Sequence, residues 1–347
     1  MSEEAEILFE VKGAAGVITL NRPKALNAFT LNMMHALHPQ LIAWADDPAV
    51  ERVIVKAAGD RAFCAGGDIR ALYDWGTSND PMAVDFYNQE YKLNTFIKEY
   101  PKPYIAFMDG ITMGGGVGLS VHGSHRVATE KTTFAMPETG IGLFPDVGGT
   151  YFLPRTPGHT GMWLSLTGAR LKAADAIYAG IATHYVESAD LDELEETLCA
   201  PGIDVKAALT IHSTQPQGGT LADLQDDISG LFYGASVEDI LADLDADGGE
   251  WAMAQAATIR TKSPTSLKVA YRQMVDGAKA DFRECMTIEY RIVSRIMKQP
   301  DFYEGVRAAI IDKDNAPNWQ PDTLEAVTAD DISMIFAPAE GGDIDLS

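Results

Sequence analysis

Twice in this chain, a run of residues suited to a buried strand breaks into a glycine-rich turn and resumes with a helical pattern. The first turn is FCAGGDIR (63–70), after ERVIVKAAG. The second is TMGGGVGL (112–119), after YIAFMDG (104–110). A strand that is apolar on both sides has to be covered on both faces. A strand–turn–helix unit that recurs about fifty residues later is compatible with stacked strand–helix units. That pattern is compatible with an α/β fold for the first half of the chain.

The remaining periodicity is consistent with this. Residues 6–21 predict two strands around Gly13-Ala14-Ala15-Gly16. Thr30 is a predicted N-cap for a helix with Leu31, Met34, Leu37, Leu41 and Trp44 on one side, and Pro39 inside it predicts a kink or a split. Residues 82–99 predict a helix, HRVATEKTTFAM two short strands, and RECMTIEYRIVSRIM (283–297) a further helix. After about residue 185 the pattern turns helical and more acidic. We therefore expect a core over 1–195 and a mainly helical region over 196–347.

The net charge is −23 at pH 7. Such a field repels nucleic acid and anionic lipid, and an anionic substrate would need a local basic patch. The acidic runs LDELEETL (191–198) and VEDILADLDADGGE (237–250) are expected to be solvated helix faces. No apolar run approaches membrane-spanning length, and the acidic start MSEEAEILFE suggests a cytoplasmic protein. Cys64, Cys199 and Cys285 form no CxxC, and the histidines form no HExxH. Neither a disulfide frame nor a metal site is expected.

Glycine-rich turns that open into helices aim backbone N–H groups at one point. No GxxxxGK[ST] occurs, which removes the P-loop, and TMGGGVGL lacks dinucleotide spacing. Two such turns after two buried strands suit an oxyanion hole. No GxSxG elbow supplies a nucleophile. The candidates are instead Glu138 and Asp146, eight residues apart in FAMPETGIGLFPDVGGTYFLPR, where nearly everything else is apolar, Gly or Pro. Such surroundings raise carboxyl pKa values and suit acid–base or nucleophilic work, although capping of two turns would explain the same pair. Glu90 lies on the apolar stripe of the 82–99 helix, where it either binds something or pairs with Arg70 or Lys92.

NRPKALNAF (21–29), FCAGGDIR, GITMGGGVGLS and FAMPETGIGLFPDVGGTYFLPR together resemble the enoyl-CoA hydratase/isomerase (crotonase) superfamily, and the likeness continues through SPTSLK (263–268) and DFYEGVRAAIIDKDNAPNWQP (301–321). The resemblance implies a spiral of repeated ββα units with a helical C-terminal region. It implies an acyl-CoA substrate bound by Lys24, Ala25, Leu26, Ala65, Asp68 and Ile69, with Arg22 and Lys24 facing the phosphates. Gly67 and Gly115 would form the oxyanion hole. No separate cofactor is implied, since coenzyme A is part of the substrate. Hydratases of this superfamily carry one glutamate in the helix after GGG and another in the PE segment. Here the PE glutamate is Glu138, but the other position is Gly118, and Asp146 stands where hydratases usually carry glycine. That is the pattern of a hydrolase branch acting on short 3-hydroxyacyl-CoA thioesters, usually in valine breakdown, with Glu138, Asp146 and Glu90 lining the acyl pocket. The alternatives are a hydratase or isomerase of the same fold and a non-catalytic acyl-CoA-binding module. Relatives commonly assemble as trimers or pairs of trimers, so a homo-oligomer is a further expectation.

Overall fold

The computed structural model describes residues 5–346. Among the described residues, nine strands form two sheets. β1 (Ile7–Lys12) and β2 (Ala15–Leu20) form an antiparallel hairpin. They are followed by β3 (Arg52–Ala57), β4 (Ala62–Cys64), β5 (Tyr104–Met108), β6 (Ile111–Met113), β7 (His125–Ala128), β8 (Thr133–Ala135) and β9 (His184–Tyr185). One sheet has the order β1-β2-β3-β5-β7-β9, parallel from β2 onward. The other has the order β4-β6-β8. Each repeat thus gives a strand to each sheet, β3 and β4, then β5 and β6, then β7 and β8. This is the ββα spiral, and its strands are short because each must turn into the second sheet.

By contacts the chain forms two compact units. The first comprises residues up to Asp68, Leu93–Phe134 and Leu171–Ala222. The second comprises Ile69–Lys92, Ala135–Arg170 and Asp223 to the C-terminus.

In the first unit, Val17, Ile54, Ile105, Phe107 and Val127 of the large sheet pack with Leu194, Leu198 and Leu209 of the helices Leu191–Cys199 and Val205–His212. The hairpin turn is tighter than expected, because Ala15 and Gly16 already belong to β2. The helix Leu31–Asp46 starts at Thr30, whose hydroxyl accepts the Met33 N–H, and lays Trp44 against Gly16. Pro39 does not split it. Pro39 and His35, whose carbonyl loses a donor, both lie on the exposed face, where water replaces the missing bond. The run at 191–198 is not wholly solvated. Asp192, Glu193 and Glu196 are exposed, but Glu195 is buried, with Lys12 at 3.2 Å and Lys56 at 2.5 Å.

The second unit is helical. Its centre is the helix Thr160–Thr167, buried at every position. The helix Pro264–Gly277 begins at the Ser263 cap, and the helix Phe282–Ile296 has a capping box of Asp281 and Glu284. In the 237–250 run, Val237, Ile240 and Leu244 face inward, and Glu238 meets Lys268 at 2.7 Å. Among the described residues, no helix is long and apolar enough to cross a membrane.

Candidate active site

In the first unit, the parallel pairing of β4 with β6 makes both glycine turns leave the small sheet at the same end. Gly66 has φ +124° and Gly114 φ +47°. Both are conformations that side chains resist. A Cβ on Gly66 would lie 4.0 Å from the Gly115 nitrogen, and one on Gly116 would sit 2.2 Å from the Cys64 carbonyl oxygen. The two turns therefore touch, and only glycine allows it. Phe29 bridges to Gly67 through bonds to its neighbours, Phe29 N–H to Gly66 O and Asp68 N–H to Phe29 O. This leaves the N–H of Gly67 itself outside the ladder. Gly115 is the first residue of the one-turn helix Gly115–Gly118, so its N–H has no partner within the helix.

The NRPKAL loop is held beside these turns by Asn27. Its buried side chain donates to Ala58 O and Ala62 O and accepts the Arg22 N–H. Leu26 and Asn27 both have left-handed backbones, φ 52° and 55°. Asparagine tolerates that conformation and leucine rarely does. Lys24 and Ala25 are exposed, and Leu26, Ala65, Asp68 and Ile69 are half-buried. A cavity of about 780 Å³ opens against the loop, lined by Arg22, Pro23, Lys24, Ala25, Asn32 and Met33 among others. Arg22 pairs with Glu6 at 3.0 Å and Asp68 at 3.1 Å. Part of its charge is therefore neutralised, and Lys24 is the more available cation.

The second unit contains the acids. Glu138 opens a 3-10 turn, Glu138–Ile141, and is 5% exposed. Asp146 is 4% exposed and Glu90 2%. The turn is locked by distant segments. Ser263 N–H donates to Thr139 O and the Ser263 hydroxyl to Asp301, while a Cβ on Gly142 would meet the Asp301 carbonyl oxygen at 2.2 Å. SPTSLK and DFYEG thus form the support of the Glu138 turn. On the helix Met82–Lys98, Tyr87, Glu90 and Tyr91 share one face, and the Tyr91 hydroxyl donates to Asp146 Oδ2 at 3.0 Å. Glu90 makes no ion pair with Arg70 or Lys92. Its Oε1, Glu138 Oε2 and the Tyr87 hydroxyl are buried without a hydrogen-bond partner among the described residues.

After Asp146 the chain passes through Val147 at φ 48° and Gly148 at φ 87°. A β-branched residue there costs about 1–3 kcal/mol of backbone strain. The fully buried carboxylate of Glu289, on the helix Phe282–Ile296, accepts the N–H groups of Gly148 at 2.8 Å and Thr150 at 2.9 Å. Gln273 Nε2 donates to Pro145 O at 2.5 Å and to Thr150 Oγ1 at 2.6 Å.

Burial pushes all four carboxyls up. Asp146 rises to about 7, opposed by the Tyr91 hydroxyl. Glu289 rises to about 8 by burial and the charge of Asp146, opposed by hydrogen bonds from the Gly148 N–H and from the hydroxyl and N–H of Thr150. Burial and the same charge hold Glu90 and Glu138 well above the ordinary range. Carboxylates so placed are more basic than in water, which suits a base or nucleophile.

Sequence reading identified Glu138, Asp146 and Glu90 but passed over Tyr87, Tyr91, Gln273 and Glu289. A signal for Glu289 was present. It falls on the buried stripe Phe282, Cys285, Met286, Ile292, Val293 and Ile296, the same anomaly that singled out Glu90. Gln273 and the tyrosines gave none, since both residue types fill helix faces routinely. Among the described residues, no three His, Cys, Asp or Glu side chains converge as metal ligands.

Residues 15–336 match the enoyl-CoA hydratase/isomerase family. A Xenopus laevis protein named 3-hydroxyisobutyryl-CoA hydrolase, mitochondrial, is 52% identical over 343 residues, covering 96% of this chain and 89% of its own. Its name lends no support to a cytoplasmic location. Two crystal structures superpose over nearly the full length. A carnitinyl-CoA dehydratase from Mycobacterium thermoresistibile has TM-score 0.93 and 41% identity, covering 98% of both chains. An enoyl-CoA hydratase from Rhodobacter sphaeroides 2.4.1 has TM-score 0.92 and 41% identity, covering 98% of this chain and 100% of its own.

Proposed function

The chain belongs to the enoyl-CoA hydratase/isomerase family, and from that membership we propose that it hydrolyses the thioester of a short 3-hydroxyacyl-CoA, 3-hydroxyisobutyryl-CoA above all, to the free acid and coenzyme A. The observation that carries the choice of reaction is the redistribution of acids. Gly118 is buried in the one-turn helix where a hydratase of this fold would place its first glutamate. Asp146 instead joins Glu138 and Glu90 among the buried carboxyls. The hydrolase name of the Xenopus laevis relative agrees with that arrangement.

In this reading the Gly67 and Gly115 N–H groups polarise the thioester carbonyl and stabilise the oxyanion. Glu138, ionised, attacks the acyl carbon and expels the CoA thiolate, leaving a mixed anhydride that water opens. Alternatively it takes the proton of the attacking water. Asp146 accepts the substrate's 3-hydroxyl, and Glu90 fixes the acyl end. An acyl group without the hydroxyl would leave buried polar atoms unpaired, a strong basis for discrimination. Lys24, Ala25, Leu26, Ala65, Asp68 and Ile69 hold the CoA portion, and the cavity lined by Lys24 and Ala25 supports the part given to those two.

The test is free-thiol release from 3-hydroxyisobutyryl-CoA, with isobutyryl-CoA and crotonyl-CoA alongside. Release from the hydroxy ester, much slower from isobutyryl-CoA, is the expected result. Hydration of crotonyl-CoA with no thiol release would instead assign the water-addition chemistry named for the Rhodobacter sphaeroides structure. Tight CoA-ester binding with neither reaction would make the chain a binding module.

A further inference from the structure

Glu289 is a fully buried carboxylate with no ion-pair partner among the described residues, and both its oxygens are committed to the backbone that follows Asp146. Gln273 grips the same segment from a different helix, on the carbonyl of Pro145 and the hydroxyl of Thr150. Between these two clamps lie Asp146 and the left-handed pair Val147 and Gly148. A loop of this conformation persists only where its surroundings over-determine it. The donors presented to Glu289 are the N–H groups of Gly148 and Thr150 and the Thr150 hydroxyl, so only a group with two acceptor oxygens satisfies both N–H groups. A glutamine of the same shape would keep one bond and set an N–H against an N–H.

We propose that Glu289 is a positioning residue. Together with Gln273 it holds the 145–150 segment so that Asp146 presents its carboxylate to the substrate's 3-hydroxyl, and so sets the selectivity for hydroxylated acyl groups. The proposal rests on the hydrolase reading above, in which Asp146 receives that hydroxyl. Glu289 itself touches no substrate.

The experiment measures kcat and KM for 3-hydroxyisobutyryl-CoA and isobutyryl-CoA in wild type, Glu289→Gln and Gln273→Met. The readout is the ratio of kcat/KM between the two esters. A lowered fraction of folded enzyme cancels from that ratio, so a merely structural role would leave it unchanged. We expect Glu289→Gln to lower the ratio at least tenfold, with kcat for the hydroxy ester falling and its KM changing less than threefold. Gln273→Met, which approaches the loop from the other helix, should shift the ratio the same way and supplies the answer if Glu289→Gln does not fold. An unchanged ratio overturns the proposal. A wild type that releases no thiol from the hydroxy ester overturns the hydrolase reading, a result distinct from a selective wild type whose variants stay equally selective.

Discussion

Glu138 shows what one buried carboxylate gains from its position. Burial and the charge of Asp146 raise its basicity against a hydrogen bond from its own backbone N–H, and its Oε2 has no hydrogen-bond partner among the described residues, so that oxygen is not committed as a structural cap. The capping alternative left open by the sequence therefore weakens for Glu138. Replacing it by glutamine keeps the shape and removes the negative charge. Turnover of 3-hydroxyisobutyryl-CoA should fall by about 10²–10⁴-fold, with affinity for the CoA ester nearly intact by calorimetry. A Glu138→Gln enzyme with near wild-type turnover would remove Glu138 from the chemistry.

At the scale of elements, the two glycine turns depend on one another. β4 and β6 run parallel as neighbours, and the turn after β6 packs onto the carbonyl of the last residue of β4. A methyl group on Gly116 would lie 2.2 Å from Cys64 O, backbone that cannot swing aside. Gly116→Ala should therefore separate the turns. The expected outcome is a lower melting temperature together with a fall in kcat of about 10²–10³-fold, the usual effect of losing one oxyanion donor. Unmoved turns in a crystal structure of the variant with a CoA ester, or a kcat within twofold of wild type, would decide against that coupling.

At the scale of the whole molecule, a cluster of buried acids makes stability depend on pH. The folded pKa values of Asp146 and Glu289, about 7 and about 8, lie above ordinary values. The folded state therefore binds these protons more tightly than the unfolded chain. The contribution is fully present below about pH 4 and is lost as pH rises through 7 and 8. His125 and His184, half-buried and shifted down, act in the opposite sense below their ordinary 6.5. The decline should thus be clearest above that value. Melting temperature is expected to fall by several degrees between pH 6.5 and 8.5, and Asp146→Asn, which cannot ionise, should flatten the slope. A melting temperature that holds constant or climbs over that interval, with Asp146→Asn tracking wild type, would contradict the assignment.

The sequence by itself determined the local grammar. The strand–turn–helix repeats, the Thr30 cap, the helix over 283–297 and the apolar setting of Glu138 and Asp146 are all written in short-range patterns of side-chain type, which physics reads locally. It also raised the oddity of Glu90, an acid on an apolar stripe. The tertiary structure decided everything that depends on partners far apart in the chain. It brought Tyr91 onto Asp146, kept the helix through Pro39 continuous by exposing it, buried Glu195 between two lysines, and used SPTSLK and DFYEG to brace the Glu138 turn. Glu289 lies 141 residues beyond Gly148, whose N–H it accepts. The reason is the same in each case. A buried polar group must be satisfied, but the rule is silent on where in the chain its partner lies.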